Sequence, residues 1–146
     1  PLFTTHYRVV AAPDYLAVHG APQHPTDLSD RSCLLYSLPA FRSRWLFQNA
    51  DGIQAVGVAG NIVLSNPLAL RAATLDGLGP ALIADWLVQD DLAGGTLIDL
   101  FPGHRVTATT FQTAAWLLYP GRDRLPRKTR DTIAFFKSHL GKADGD

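Results

Sequence analysis

Apolar positions in this chain come in short runs, and each run is cut by proline, glycine or a polar cluster. Where the cuts fall predicts the elements. Residues 7–12 are rich in β-branched and aromatic residues and stop at Pro13, which predicts a strand. Residues 13–20 place proline first and glycine last, the signature of a short helix. Pro25-Thr26-Asp27-Leu28 reads as one helical turn inside a proline-bearing connection. Residues 32–37 are almost continuously apolar, as expected for a strand covered on both faces in a parallel sheet. Residues 38–44 read as loop. Residues 45–48 and 53–58 flank Asn49-Ala50-Asp51-Gly52, a hairpin with Asp-Gly as its turn signal.

The most informative run follows. Residues 62–64 form a strand, then Ser65-Asn66-Pro67 opens a helix over 67–76. Asn66 is a favoured N-cap and Pro67 a favoured first helical residue. A helix that opens this abruptly presents backbone N–H groups beyond the strand end. In open α/β sheets that is where small ligands bind. After the Gly77-Leu78-Gly79 turn, residues 79–84 predict a strand with Pro80 at its start or on an edge, because proline cannot donate to a ladder. A short helix over 85–92 ends at Gly94-Gly95, and residues 96–100 predict a further strand. Residues 102–110 read as loop, and 113–119 as a strongly apolar strand closed by Pro120-Gly121. Residues 126–140 form the longest helix, stopped by Gly141, with Thr129, Ile133, Phe136 and Leu140 on one face. The tail, 142–146, reads as disordered. Strands alternating with helices make the fold class α/β.

Composition narrows the function. The chain has 146 residues, enough for one domain with a real core. Thirteen basic residues balance thirteen acidic ones, so no net charge draws the chain to nucleic acid or an anionic membrane. Cys33 is the single cysteine, which excludes an internal disulfide and fits a reducing, cytoplasmic compartment. No apolar run approaches the ~20 residues of a membrane span, and the first residues lack a signal-peptide profile. The chain lacks methionine, so a longer parent is expected.

Several motifs together resemble one family. They are Val9-Val10-Ala11-Ala12-Pro13-Asp14-Tyr15-Leu16, His19-Gly20-Ala21-Pro22, Pro25-Thr26-Asp27-Leu28 and Cys33-Leu34-Leu35-Tyr36, then Ser65-Asn66 with Ala69-Leu70-Arg71-Ala72-Ala73. Gly77-Leu78-Gly79, Asp85-Trp86-Leu87-Val88 and Trp116-Leu117-Leu118-Tyr119-Pro120 complete the set. In this order and spacing the chain resembles the effector-binding domain of LysR-type transcriptional regulators. Pro80 and Ala84 depart from the usual pattern, as does the stretch Gly121-Arg122-Asp123-Arg124. The resemblance implies a fold like type 2 periplasmic binding proteins, with two α/β subdomains and an effector cleft between them. About 9–102 would be the second subdomain, and about 103–140 the return into an incomplete first one. It also implies a small-molecule effector, self-association as a homodimer or tetramer, and DNA binding only through a domain absent from this chain. Switching would follow from subdomain closure. No cofactor, metal or enzymatic role is implied. A stand-alone small-molecule-binding domain and a fragment of a small α/β enzyme remain as alternatives.

The candidate effector contacts are Ser65, Asn66 and Pro67 at the helix start, with Ser37 and Leu38 across from them. Their hydroxyls, amide and helix N-terminus suit a polar or carboxylate effector. Asn66 reads equally as an ordinary cap, Ser37 as an ordinary strand end, and the Tyr36 ring as part of the core. The helix from Pro67 is apolar nearly all round, so one side packs on its own sheet. By resemblance Leu68, Arg71, Ala72 and Leu75 would meet a second subunit. Cys33 reads as a buried, inert thiol. The five histidines show no metal-site spacing. Arg122, Arg124, Arg127, Lys128 and Arg130 form a basic cluster that reads as a solvated helix start. Asp85, Asp90 and Asp91 read as a solvent-facing helix surface without catalytic geometry.

Overall fold

A computed structural model describes residues 1–119 and 125–141. These fall into two compact units, one of His6–Phe111 and one drawn from both ends of the chain.

The larger unit is built on a mixed sheet. Its strands are β2 (Tyr7–Ala11), β3 (Ser32–Tyr36), β4 (Arg44–Asn49), β5 (Gly52–Gly57), β6 (Ala59–Leu64), β7 (Ala81–Ala84), β8 (Ile98–Asp99) and β9 (Arg105–Thr107). The order across the sheet is β5-β4-β9-β2-β7-β3-β6, with β8 pairing β2 off that path. β3 runs parallel to both β6 and β7, whereas β2 runs antiparallel to β7. Three helices join these strands: α1 (Pro13–His19), α2 (Pro67–Leu75) and α3 (Asp85–Gly94).

The central strands alternate between two cores. Val9, Cys33, Leu35 and Leu82 enter one, with Trp45, Phe47, Val56 and Val106 of the curled part of the sheet and Phe101 of the connection between β8 and β9. Val10, Leu34, Ala81 and Ile83 enter the other, with Leu70 of α2 and Val88 of α3. Period-two side-chain alternation with both faces covered is what makes these strands read as unbroken apolar runs. The α/β class holds.

Local chemistry explains the boundaries. Pro80 lies just ahead of β7, where its missing N–H costs no ladder bond, and its carbonyl accepts from the Leu34 amide at 2.8 Å. The hairpin turn closes on the pair Asn49 and Gly52, and the Asn49 side chain accepts from the Asp51 amide at 2.9 Å. Gly60 sits where β6 crosses the β3 irregularity between Ser32 and Leu34, and a Cβ there would lie 1.7 Å from the Cys33 carbonyl oxygen. Gly95, left-handed at φ 74°, ends α3.

Several expectations are corrected. The loop expected over 102–110 contains β9, which pairs with β4 and β2. The strand expected over 96–100 is only Ile98–Asp99, and the loop over 38–44 holds a 3₁₀ turn, Pro39–Phe41, before β4 starts at Arg44.

The smaller unit pairs β1 (Phe3–Thr5), which the apolar pattern did not reveal, with β10 (Thr113–Ala115) in an antiparallel ladder. The strand expected over 113–119 therefore stops at Ala115. A strand lasts as long as its ladder, and the Leu2 amide makes the last bond to the Ala115 carbonyl, at 2.6 Å. Trp116 and Leu118 beyond it are exposed. The long helix is α4 (Arg127–Leu140), with Pro126 as its cap. Its predicted face is present, but none of its residues is buried. Gly141 follows with φ −75°, so the stop uses no left-handed conformation. Arg127 pairs with Asp131 at 3.7 Å across an exposed turn, an arrangement worth little. The Pro120-Gly121 closure, Arg122 and Arg124 of the basic cluster, and the tail over 142–146 lie outside the described residues.

Candidate functional site

Because β3, β6 and β7 are parallel, their C-terminal ends lie at one edge of the larger unit, and three chain turns gather there. Ser37 and Leu38 leave β3, Ser65-Asn66-Pro67 leaves β6 into α2, and Asp85-Trp86 leaves β7 into α3. The Ser37 amide donates to the Leu64 carbonyl at 2.9 Å, which ties the first turn to the second. The structure thus brings Ser37, Leu38, Ser65, Asn66 and Pro67 to one sheet end. Leu38 is half exposed, and Asn66 and Pro67 are exposed.

The start of α2 is set by residue chemistry. The Asn66 side-chain oxygen accepts from the Leu68 amide at 2.8 Å, while the Asn66 carbonyl takes the first helical bond, from Leu70 at 3.0 Å. Pro67 has no N–H to offer. That leaves the Ala69 amide as the first-turn donor without a partner among the described residues. No acidic side chain occupies this turn, so the positive end of the helix is uncompensated. At α3 the opposite holds: Asp85 fills the first turn and accepts from the Trp86 amide at 2.7 Å.

Behind these turns lies an aromatic cluster. Phe41 meets Tyr7 edge-on at 5.6 Å and Tyr36 at 5.8 Å. Burial pushes the Tyr7 phenol up, and the neighbouring Tyr36 adds to the shift. Neither hydroxyl has a protein partner among the described residues. His6 joins this end as well, its carbonyl accepting from the Asp85 amide at 2.9 Å. Tyr7, His6, Asp85 and Trp86 were not among the sequence candidates for the site. Tyr7 and His6 reach it because β2 is antiparallel to β7, which brings the start of one strand beside the end of the other, and Asp85 and Trp86 reach it as the continuation of β7.

No titratable side chain is hydrogen-bonded to Ser37 or Ser65 among the described residues, so neither hydroxyl has a base. Among the described residues no group of three or more His, Cys, Asp or Glu could hold a metal ion. Cys33 is fully buried, and burial pushes its thiol up to about 12.

The residues expected to face a second subunit divide. Leu68 is 60% exposed and Ala72 is exposed, whereas Leu75 is half-buried against the core that α2 covers. Arg71 turns inward: its Nε and Nη2 donate to the two Asp91 oxygens at 2.6 and 2.8 Å. Asp91, nearly buried on α3, also accepts from the Thr96 hydroxyl at 3.3 Å. Arg71 and Asp91 therefore lock α2 to α3, and Asp91 does not face solvent as its helix position suggested. No described helix is long and apolar enough to cross a membrane.

Comparison with known proteins agrees with this architecture. The chain is 30% identical over 145 residues to the HTH-type transcriptional regulator DmlR of Escherichia coli strain K12, covering 94% of this chain and 44% of DmlR. The regulatory domain of CrgA, a LysR-type transcriptional regulator from Neisseria meningitidis, superposes with a TM-score of 0.72 at 27% identity, over 95% of this chain and 66% of that one. Full-length AphB, the Vibrio cholerae virulence activator, superposes with a TM-score of 0.73 at 25% identity, over 94% of this chain and 46% of AphB. The chain spans less than half the length of the curated relatives it matches. With residues 1–141 matching the LysR substrate binding domain and the mixed α/β sheet shared with LysR regulatory domains, the chain belongs to the LysR substrate-binding-domain family.

Proposed function

We propose that this chain is the effector-sensing part of a LysR-type transcriptional regulator, with the effector seated at the C-terminal ends of β3, β6 and β7. The observation that carries this reading is the convergence of Ser37 and Leu38 with Ser65, Asn66 and Pro67 at the positive end of α2, whose first turn holds no acidic side chain. In this reading the Ala69 amide and the Ser37 and Ser65 hydroxyls hold an anionic group, so the effector is a small carboxylate. The Tyr7 and Tyr36 hydroxyls offer further hydrogen bonds, and Phe41 supports both rings. The work is binding and switching without bond-breaking chemistry, in keeping with the transcriptional regulators the chain is similar to. Switching by subdomain closure is carried over from the family scheme.

The same reading assigns DNA binding to another part of a longer parent, a cytoplasmic location, and self-association to α2. The exposed stripe of Leu68 and Ala72 would meet a second copy, with Leu75 at its margin. Arg71 contributes indirectly, by holding α2 against α3.

The test is thermal-shift screening of the full-length parent against a library of small carboxylates, followed by titration of any hit with Ser65→Ala and Asn66→Asp variants. Binding of a carboxylate that either variant weakens at least tenfold supports the assignment. Binding that neither variant changes places the effector elsewhere and overturns it. For the α2 face, Leu68→Glu is expected to shift the sedimentation profile toward the monomer, and an unchanged profile removes α2 from the interface.

A further inference from the structure

The opposite ends of the parallel strands border a cavity of about 510 Å³, walled by Tyr15, His19, Asp27, Asp30, Arg31 and Ser32. Ser32 begins β3 and Tyr36 ends it, so this cavity is separated from the candidate effector end by the strand's length, roughly 13 Å. Its volume lies within the range of about 300–1,000 Å³ common to small-molecule sites.

Two of its charged groups, Arg31 and Asp27, are held in place, yet the charges do not satisfy one another. Arg31 donates through one Nη to the Gly20 carbonyl at 2.6 Å, and its guanidinium carbon lies 6.0 Å from the Tyr15 ring centre. Its other N–H groups have no partner among the described residues. The Asp27 Oδ2 accepts from the Gln23 and His24 amides at 2.8 and 2.9 Å, which orients the carboxylate, and Oδ1 has no partner among the described residues. Those two bonds, with a smaller contribution from Arg31, hold the Asp27 carboxyl below the usual carboxylate range. The Asp30 carboxylate and the Ser32 hydroxyl have no partners among the described residues. No ion pair joins Arg31 to Asp27 or Asp30 among those residues, although Arg31 and Asp27 are near enough to sense each other. His19 is fixed by stacking on Tyr15, with ring centres 4.3 Å apart, and by a 3.1 Å bond from Nδ1 to the Tyr15 carbonyl. A carbonyl can only accept, so Nδ1 carries a proton in that bond. Leu78 supplies an apolar border.

Opposite charges oriented around one cavity without closing on each other form a receptor for a ligand carrying both signs. We infer that this cavity binds a free α-amino acid, its carboxylate on Arg31 and Ser32 and its ammonium on Asp30 and Asp27. The amino acid's side chain lies toward Leu78. The site is independent of the effector end, so a regulator with both would answer to two ligands.

The test is an amide-resolved NMR titration of the ¹⁵N-labelled full chain with each of the common L-amino acids. Any that binds is then titrated as its carboxamide, which lacks the carboxylate, and as its N-acetyl derivative, which lacks the ammonium. We expect at least one amino acid to give saturable shifts at the Gly20, Arg31 and Ser32 amides, and both derivatives to bind at least tenfold more weakly. Arg31→Gln and Asp30→Asn, both at surface-accessible positions, are each expected to weaken binding at least tenfold while the amide spectrum stays folded. No saturable shift with any amino acid overturns the proposal. So does equal binding of either derivative, or shifts confined to Ser65 and Asn66. None of these three failures counts against the effector reading, because the two sites report through different amides.

Discussion

Asn66 is the residue on which capping and ligand recognition are hardest to separate, and two substitutions separate them. Asn66→Ala removes the side-chain oxygen that the Leu68 amide donates to at 2.8 Å. Loss of such a cap costs about 1 kcal/mol. For a chain of this size that is a fall of about 2–4 °C in the thermal midpoint. Asn66→Asp keeps the acceptor and adds a negative charge at the positive end of α2, which contributes about 0.3–1 kcal/mol. Its midpoint should equal or exceed that of the wild type. Stability and binding then part company. The Asp variant folds at least as well, yet it sets a carboxylate where we place the carboxylate of the effector, so affinity should drop at least tenfold, about 1.4 kcal/mol. The assays are circular-dichroism melting for the fold and isothermal titration of the parent for the effector. If the alanine variant melts with the wild type, the cap does not hold α2. If the aspartate variant binds the effector normally, the helix start is a cap and nothing more.

Three further outcomes follow from the packing. Gly60→Ala would place a methyl group 1.7 Å from the Cys33 carbonyl, so β6 must move away from β3; urea denaturation should show a loss of about 3 kcal/mol or more, and a wild-type midpoint would refute the close approach. Arg71→Ala strands a nearly buried carboxylate and should cost about 3 kcal/mol, and Asp91→Ala about 2 kcal/mol; the double variant should cost clearly less than their sum, whereas strict additivity would show that the bidentate pair does not couple α2 to α3. Burial raises the Cys33 thiol from 9.0 to about 12, so the folded state binds more protons than the unfolded state between those values and stability falls as pH rises through that window; the fall should be shallower in Cys33→Ala, and rapid labelling of the native thiol at pH 8 would contradict its burial.

The central sheet was legible because its cause is local. Val9-Val10, Cys33-Leu34-Leu35 and Leu82-Ile83 read as unbroken apolar runs because adjacent side chains enter two different cores. The α2 start was legible because Asn66 and Pro67 each have one favoured place at a helix start. The short strands were not. Arg105–Thr107 has a single buried apolar residue, Val106, and takes strand geometry only because β4 and β2 offer ladders on either side. Residues 113–119 failed in the opposite direction: the run is apolar throughout, but its ladder ends at Ala115. Apolarity proposes a strand, and a partner decides its length.

The same distinction governs the site. Ser37 and the Ser65-Asn66-Pro67 turn could be named from sequence because each sits where a predicted strand ends. Placing them at one edge needed only that the strands be parallel. Tyr7 and His6 could not be named, because their placement depends on the direction of β2, and nothing in Tyr7–Ala11 distinguishes a strand running up from one running down. That direction is fixed by which neighbours β2 finds, β7 on one side and β8 with β9 on the other. Arg71 shows the converse. Its place on an apolar helix suggested an outward role, but an arginine opposite a nearly buried aspartate satisfies that carboxylate first. The surface of α2 left for a second copy is therefore narrower than the helical wheel implies, and Leu68 is the position where an introduced charge should disturb assembly without disturbing the fold.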